Sequence, residues 1–140
     1  MGDLQNALIA LIRGFGLHHP DQTPCGQPVA VAEAHALMVL MQEQPLSQGM
    51  LSNRLSLEKS TVSRLLSGLE KRGWIERDRN PDDRRIVEVA LTEAGKQTAE
   101  SLSTARQSKF DRVMQAIPED QQTKVVDALQ ILVKAIHESS

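Results

Sequence analysis

Tyrosine is absent from this chain, and Phe15, Trp74 and Phe110 are its only aromatic residues. Its core must therefore be built from Leu, Val, Ile, Ala and Met. Cys25 is the only cysteine, which excludes an internal disulfide. No apolar run approaches the ~20 residues that a membrane helix needs. The short stretch "ALIALI" near the start is followed by Arg13 and by no small-residue cleavage site, unlike a signal peptide. A cytoplasmic protein with no membrane partner is expected. There is no glycine-rich phosphate loop and no nucleophile–base–acid arrangement, so an enzyme is not expected. A thiol enzyme using Cys25 with His35 as base is the nearest catalytic alternative, and inertness of that thiol dismisses it.

The 140 residues suit one compact domain with a real core. Hydrophobic residues make up 40% and charged residues 24%, as in a soluble globular protein. The net charge of -2 is unevenly spread. Residues 53–85 hold nine Lys/Arg against six Asp/Glu, a local +3, and the remainder is acidic. Charge alone fits both a chance excess and a polyanion-binding surface on an acidic body.

Leu4, Leu8, Leu11, Ile12 and Phe15 recur at helical spacing, which predicts a helix over 3–17. "HHPDQTPCGQP" breaks it into a loop. Residues 30–43 have helix length and are apolar almost all round from Ala36 to Met41, as in a central buried helix. Ser47 is an N-cap for a short helix ending near Leu55. The next helix covers "EKSTVSRLLSGLEKRGW". Val62, Leu65, Leu66 and Leu69 form its inner stripe, and Gly73 ends it in a left-handed cap. "WIERDR" and "RIVEVAL" then read as a β-hairpin with a polar tip, because Val87, Val89 and Leu91 alternate with Glu88 and Ala90. Thr92 caps a long helix carrying Leu102, Phe110 and Val113, with Ile117 at its end. Pro118 breaks it, and a last helix carries Val125, Leu129, Leu132 and Ile136. A short helix, a tight turn, a second helix and a basic hairpin make a winged helix-turn-helix in a mainly α chain.

The second helix of that pair has an unusual polar face. Ser60, Arg64, Ser67 and Lys71 are spaced 4, 3 and 4, with Thr61 and Ser63 beside them. Small hydroxyls let a backbone approach a DNA groove, and arginine forks onto guanine. A plain solvated face is the alternative. The hairpin weighs against it, since Arg77, Arg79, Arg84 and Arg85 crowd a tight turn, as suits a narrow minor groove. Asp82 and Asp83 are expected to pair with a neighbouring arginine and fix its direction.

The run "STVSRLLSGLEKRGWIERDRNPDDRRIVEVALTEAGK" resembles the core signature of the MarR family of bacterial transcriptional regulators. The turn "LEKRGWIERD", the tip "PDDRR" and the helix start "LTEAG" carry the resemblance, which is most specific over residues 47–97. It implies a homodimer on a near-palindromic double-stranded DNA site, usually acting as a repressor. It implies that residues 1–28 and 93–140 supply N- and C-terminal dimerisation helices around a winged helix-turn-helix at 29–92. It implies that Ser60, Thr61, Ser63 and Arg64 face the major groove, and that Arg85 reaches the minor groove with Asp83 as buttress. Arg84 lies beside them, and Ser67 and Lys71 continue the helix stripe.

The family resemblance also implies a signal: a small organic effector, a metal or oxidation. No cofactor is expected, with zinc as the alternative. His18, His19, Asp21, Cys25, Glu33 and His35 are close in sequence and of zinc-binding type. Zinc-sensing relatives also use histidines of the long helix, and residues 93–117 contain none. Cys25, with His18 and His35, is the candidate effector or redox group. Met38, Met41 and Phe15 are candidate pocket residues, with plain core as their bland reading. A winged helix used only for protein contact is the remaining rival. It calls for apolar anchors on the outward stripe, where serines and arginines stand instead.

Overall fold

A computed structural model describes residues 2–17, 19 and 22–140. Its elements in chain order are α1 (Gly2–Phe15), α2 (Val31–Gln42), β1 (Leu46–Ser47), α3 (Gln48–Leu55), α4 (Lys59–Lys71), β2 (Ile75–Arg79), β3 (Val87–Leu91), α5 (Glu93–Ala116) and α6 (Glu119–Ser139). This is a winged helix-turn-helix in a mainly α chain.

Residues up to Arg106 form one compact unit. Its centre is α2, which buries Ala34, Ala36, Leu37, Met38 and Leu40. A helix that is apolar on nearly every side is largely enclosed by its neighbours, and only His35 and Gln42 of α2 stay exposed. Around it pack Leu51 of α3, Val62, Leu66 and Leu69 of α4, Ile75 and Val89 of the sheet, and Ala99 and Leu102 of α5. Each fully buried Leu or Ile contributes about 1.5–3 kcal/mol relative to exposure.

Local chemistry sets the joints. The Ser47 hydroxyl accepts the Met50 N–H at 3.0 Å, which starts α3. Ser56 ends it in the left-handed region, with φ 54°. The Ser52 hydroxyl donates to the Leu57 carbonyl, and Leu57 N–H donates to the Ser52 carbonyl, so the tight turn is held from both sides. At the end of α4, Gly73 lies at φ 77°, its N–H donates to Glu70, and Trp74 N–H reaches back to Leu69. These two bonds are the Schellman pattern that a glycine permits.

The sheet order is β1-β3-β2, antiparallel throughout. In the hairpin Ile75 pairs with Leu91 and Arg79 with Val87. β1 is an addition to the sequence reading: Leu46 and Ser47 pair with Val89 and Glu88. Two residues carry no alternation to read, so pattern alone could not find this strand. The start of α5 is pinned to the turn that leads into β2. Thr92 accepts the Gly95 N–H at 3.0 Å and donates its hydroxyl to the Gly73 carbonyl at 2.6 Å. A Cβ on Gly95 would stand 1.9 Å from the Trp74 carbonyl oxygen, so only glycine allows this approach.

Residues Gln107–Ser140 form a second compact unit. Gln122 Nε2 donates to the Met114 and Ile117 carbonyls, which seals the end of α5 around Pro118. The expected apolar positions are there, but in the chain alone they stay largely uncovered. Phe110, Val113, Val125, Leu129 and Ile136 are exposed, and Leu132 is half-buried. In the first unit α1 likewise exposes Leu4, Ile9, Leu11 and Ile12. No helix among the described residues is long and apolar enough to cross a membrane.

Candidate nucleic-acid interface

Of the inner stripe of α4, Val62, Leu66 and Leu69 are buried and Leu65 is half-buried, so the other side faces outward. Ser60, Arg64 and Lys71 are exposed there, and Thr61 and Ser63 are half-buried. Ser67 is placed differently from a free groove-facing hydroxyl. It is half-buried, donates to the Ser63 carbonyl at 3.0 Å and accepts from Arg77 Nη2 at 3.1 Å. Arg77 also donates to Glu70 Oε1 at 3.0 Å. That bond lowers the Glu70 carboxyl below its usual range. Arg77 therefore ties β2 to α4 and is not a cation of the wing tip.

The tip is organised by Asn80, a residue the charge pattern does not single out. Its Oδ1 accepts the Asp82 and Asp83 N–H groups at 2.8 and 3.0 Å, and its Nδ2 donates to Glu88 at 2.9 Å. An Asx side chain closing its own turn is the usual local solution. Asp83 then receives three bonds from Arg85: the backbone N–H at 3.1 Å, Nε at 3.0 Å and Nη2 at 3.0 Å. The Arg85 side chain, followed by its backbone N–H, holds the Asp83 carboxyl below its usual range. A fork on a carboxylate fixes the plane of the guanidinium. The side chain of Arg85 is nonetheless 90% exposed, so the aimed cation remains available to a ligand. Asp82 pairs with none of the described arginines; only Asp83 performs the expected pairing.

The basic residues of 53–85 thus fall into two groups. Arg54 pairs with Glu43, Arg72 with Glu33, Arg77 with Glu70 and Arg85 with Asp83. Arg72 also lies over the Trp74 ring, 4.8 Å from its centroid. Lys59, Arg64, Lys71, Arg79 and Arg84 are exposed and have no carboxylate partner among the described residues, and Arg79 Nη1 donates to the Arg84 carbonyl. The unpaired cations lie on α4 and on the wing, so the bare positive charge gathers on the helix-and-wing surface.

The MarR family profile matches residues 30–87, the span from α2 through the wing. An uncharacterised HTH-type transcriptional regulator of Mycobacterium leprae is 24% identical, over 98% of this chain and 92% of its own length. SarZ of Staphylococcus saprophyticus, an HTH-type transcriptional regulator, is 36% identical over 54% of this chain; the match spans about half of that relative, 51%. The crystal structure of Streptococcus pneumoniae FabT in complex with DNA shares the fold with a TM-score of 0.72, at 21% identity, covering 99% of this chain and 93% of FabT. This chain belongs to the MarR family. It is a transcriptional regulator, a non-enzymatic class of protein.

The candidate signal-sensing residues of this MarR regulator are dispersed. His18 and Asp21 lie outside the described residues. Cys25 is half-buried, with its sulfur 3.0 Å from the Thr23 hydroxyl. His19 is exposed, and His35 is exposed on α2. Glu33 Oε1 accepts the Ala30 N–H at 3.1 Å and faces Arg72, so it serves the start of α2. Among the described residues no three His, Cys, Asp or Glu side chains converge on a metal-sized site. A cavity of about 280 Å³ instead lies beside α2, lined by His35, Met38, Val39, Arg54, Leu55 and Arg106 among others. Met41 packs against the core, as does Met38, and Phe15 is half-buried at the end of α1.

Proposed function

We propose that this regulator binds double-stranded DNA sequence-specifically as a cytoplasmic homodimer, represses transcription from a near-palindromic operator, and is released by a small effector. One observation carries the reading: Ser60, Arg64 and Lys71 stand exposed on α4 in the same unit as a wing whose Arg85 is aimed by Asp83. Thr61 and Ser63 join the first turns of that helix, and Arg84 joins the wing. A groove reader needs such donors on a rigid helix, and a minor-groove probe needs a directed guanidinium. The dimer is supported by the apolar residues left open on α1 and along one side of α6, since a contiguous exposed apolar face marks a protein contact. In this reading the effector's seat is the cavity bordered by Arg54, Arg106 and His35, where cations meet apolar Met38 and Leu55.

The test is selection of duplexes from a random pool, followed by gel shift with unlabelled competitor. A shared inverted repeat and a shift that survives competitor support the reading. Enrichment of no sequence overturns it. Repeating the shift with zinc and with peroxide separates an organic effector from a metal or a thiol signal through Cys25, His18 or His35.

A further inference from the structure

An open cleft of about 330 Å³ lies between the helix-turn-helix and the wing, lined by Ser47, Gln48, Gly49, Lys59, Arg85, Ile86 and Val87. Its walls come from three elements: the first turn of α3, the first residue of α4, and the strand-side base of the wing. No acid is among the described residues that line it, although acidic residues are common nearby at Glu58, Asp82 and Asp83. Its polar groups hold more donors than their partners use. Lys59 is exposed and pairs with none of the described carboxylates. Asp83 takes Nε and Nη2 of Arg85, which leaves Nη1 unused. Among the described residues Gln48 finds no side-chain hydrogen-bond partner, while the Ser47 oxygen accepts the Met50 N–H and its own O–H is left to donate. Gly49 keeps the mouth wide, since a Cβ there would meet nothing within 4 Å.

We infer that this cleft seats one phosphodiester of the DNA backbone, with Lys59, Gln48 and the free edge of Arg85 as its donors. The inference rests on the DNA-binding reading and adds Lys59 and Gln48 to it as positioning residues. Surplus donors, no acid and an open polar rim suit an anion that arrives as part of a larger chain. The cleft lies between the recognition helix and the wing, so a phosphate held here sets the register of both on the duplex. Such an interaction carries affinity without sequence information.

Two variants test it, Lys59→Gln and Gly49→Glu. Lys59 is exposed, and Gly49 has open space above it, so neither disturbs the core. An acid near the start of a helix is also favourable for the fold, so Gly49→Glu should melt no lower than the parent. Binding is measured by fluorescence anisotropy over a range of salt, on a selected duplex and on one of mixed sequence. Both variants should weaken binding by the same factor on both duplexes. Lys59→Gln should also flatten the plot of log K against log salt by about 0.9 for each phosphate no longer neutralised. An unchanged slope, or a weakening confined to the selected duplex, overturns the phosphate assignment and leaves the regulator reading standing. A parent protein that binds neither duplex in a salt-dependent way overturns the DNA reading itself.

Discussion

Single side chains separate the residues that read a ligand from those that hold the reader. Arg64 is exposed, unpaired and central on the open side of α4, so Arg64→Ala should cost about 1–3 kcal/mol on a selected operator if it forks onto a guanine. Equal weakening on selected and mixed DNA would reduce it to a phosphate ligand. Ser67 and Arg77 behave otherwise, because each occupies the other. The Arg77–Glu70 pair also makes a pH prediction. The Glu70 carboxyl titrates below its usual range in the folded chain, so the stability it adds is complete above the unfolded pKa and is lost as pH falls through the folded one. Glu70→Gln should therefore lower the melting temperature slightly at neutral pH, and the gap should close below about pH 4. A gap that persists into acid would assign the effect to packing instead. The same sign holds for Glu43 with Arg54 and for Asp83 with Arg85.

Elements are joined here by backbone approaches that tolerate no side chain. Gly95 occupies the first turn of α5, where alanine is ordinarily worth about 1 kcal/mol more than glycine. The Trp74 carbonyl oxygen stands where that Cβ must go, and it also accepts the Thr92 N–H. A backbone carbonyl cannot rotate aside as a side chain does. Gly95→Ala should thus destabilise by about 1–3 kcal/mol or more despite the better propensity, read as a lower denaturant midpoint. A stabilised variant would mean that α5 shifts freely past Trp74. The wing has its own joint at Asn80. Asn80→Ala removes the acceptor of two tip amides and the tie to Glu88, and should loosen Arg85 without unfolding the protein. Faster hydrogen exchange confined to the residues around the tip, together with weaker DNA binding, is the expected result. Uniform exchange across the chain would instead make Asn80 part of the global fold.

For the whole molecule, the exposed apolar residues of α6 set the prediction. Val125, Val126, Leu129, Val133 and Ile136 lie on one broad side of that helix and are exposed in the single chain. If a second copy covers them, Leu129→Glu should give a monomer by light scattering. Its helix content should fall little at high protein concentration, and operator affinity should fall steeply because two half-sites can no longer be bound together. An intact dimer would move the interface elsewhere. Melting of the parent should also rise with protein concentration, as association requires.

Much of this architecture is legible in the sequence because it depends on neighbours along the chain. The apolar period of α4, the glycine that ends it, the alternation in β3 and the capping role of Thr92 are all local signals, and the tertiary structure keeps each one. The pairing of Asp83 with Arg85 is legible for the same reason: the two are two residues apart. Other features depend on residues far apart in sequence, and only the folded chain decides them. β1 exists because Leu46 and Ser47 reach β3, over forty residues on, and two residues carry no pattern of their own. Helical spacing turns Ser67 outward because it says where a residue points and not what stands opposite; Arg77 stands there. The cleft at Lys59 joins three segments that share no motif. Spacing along one element determines its faces, whereas the pairing of faces is a property of the packed chain.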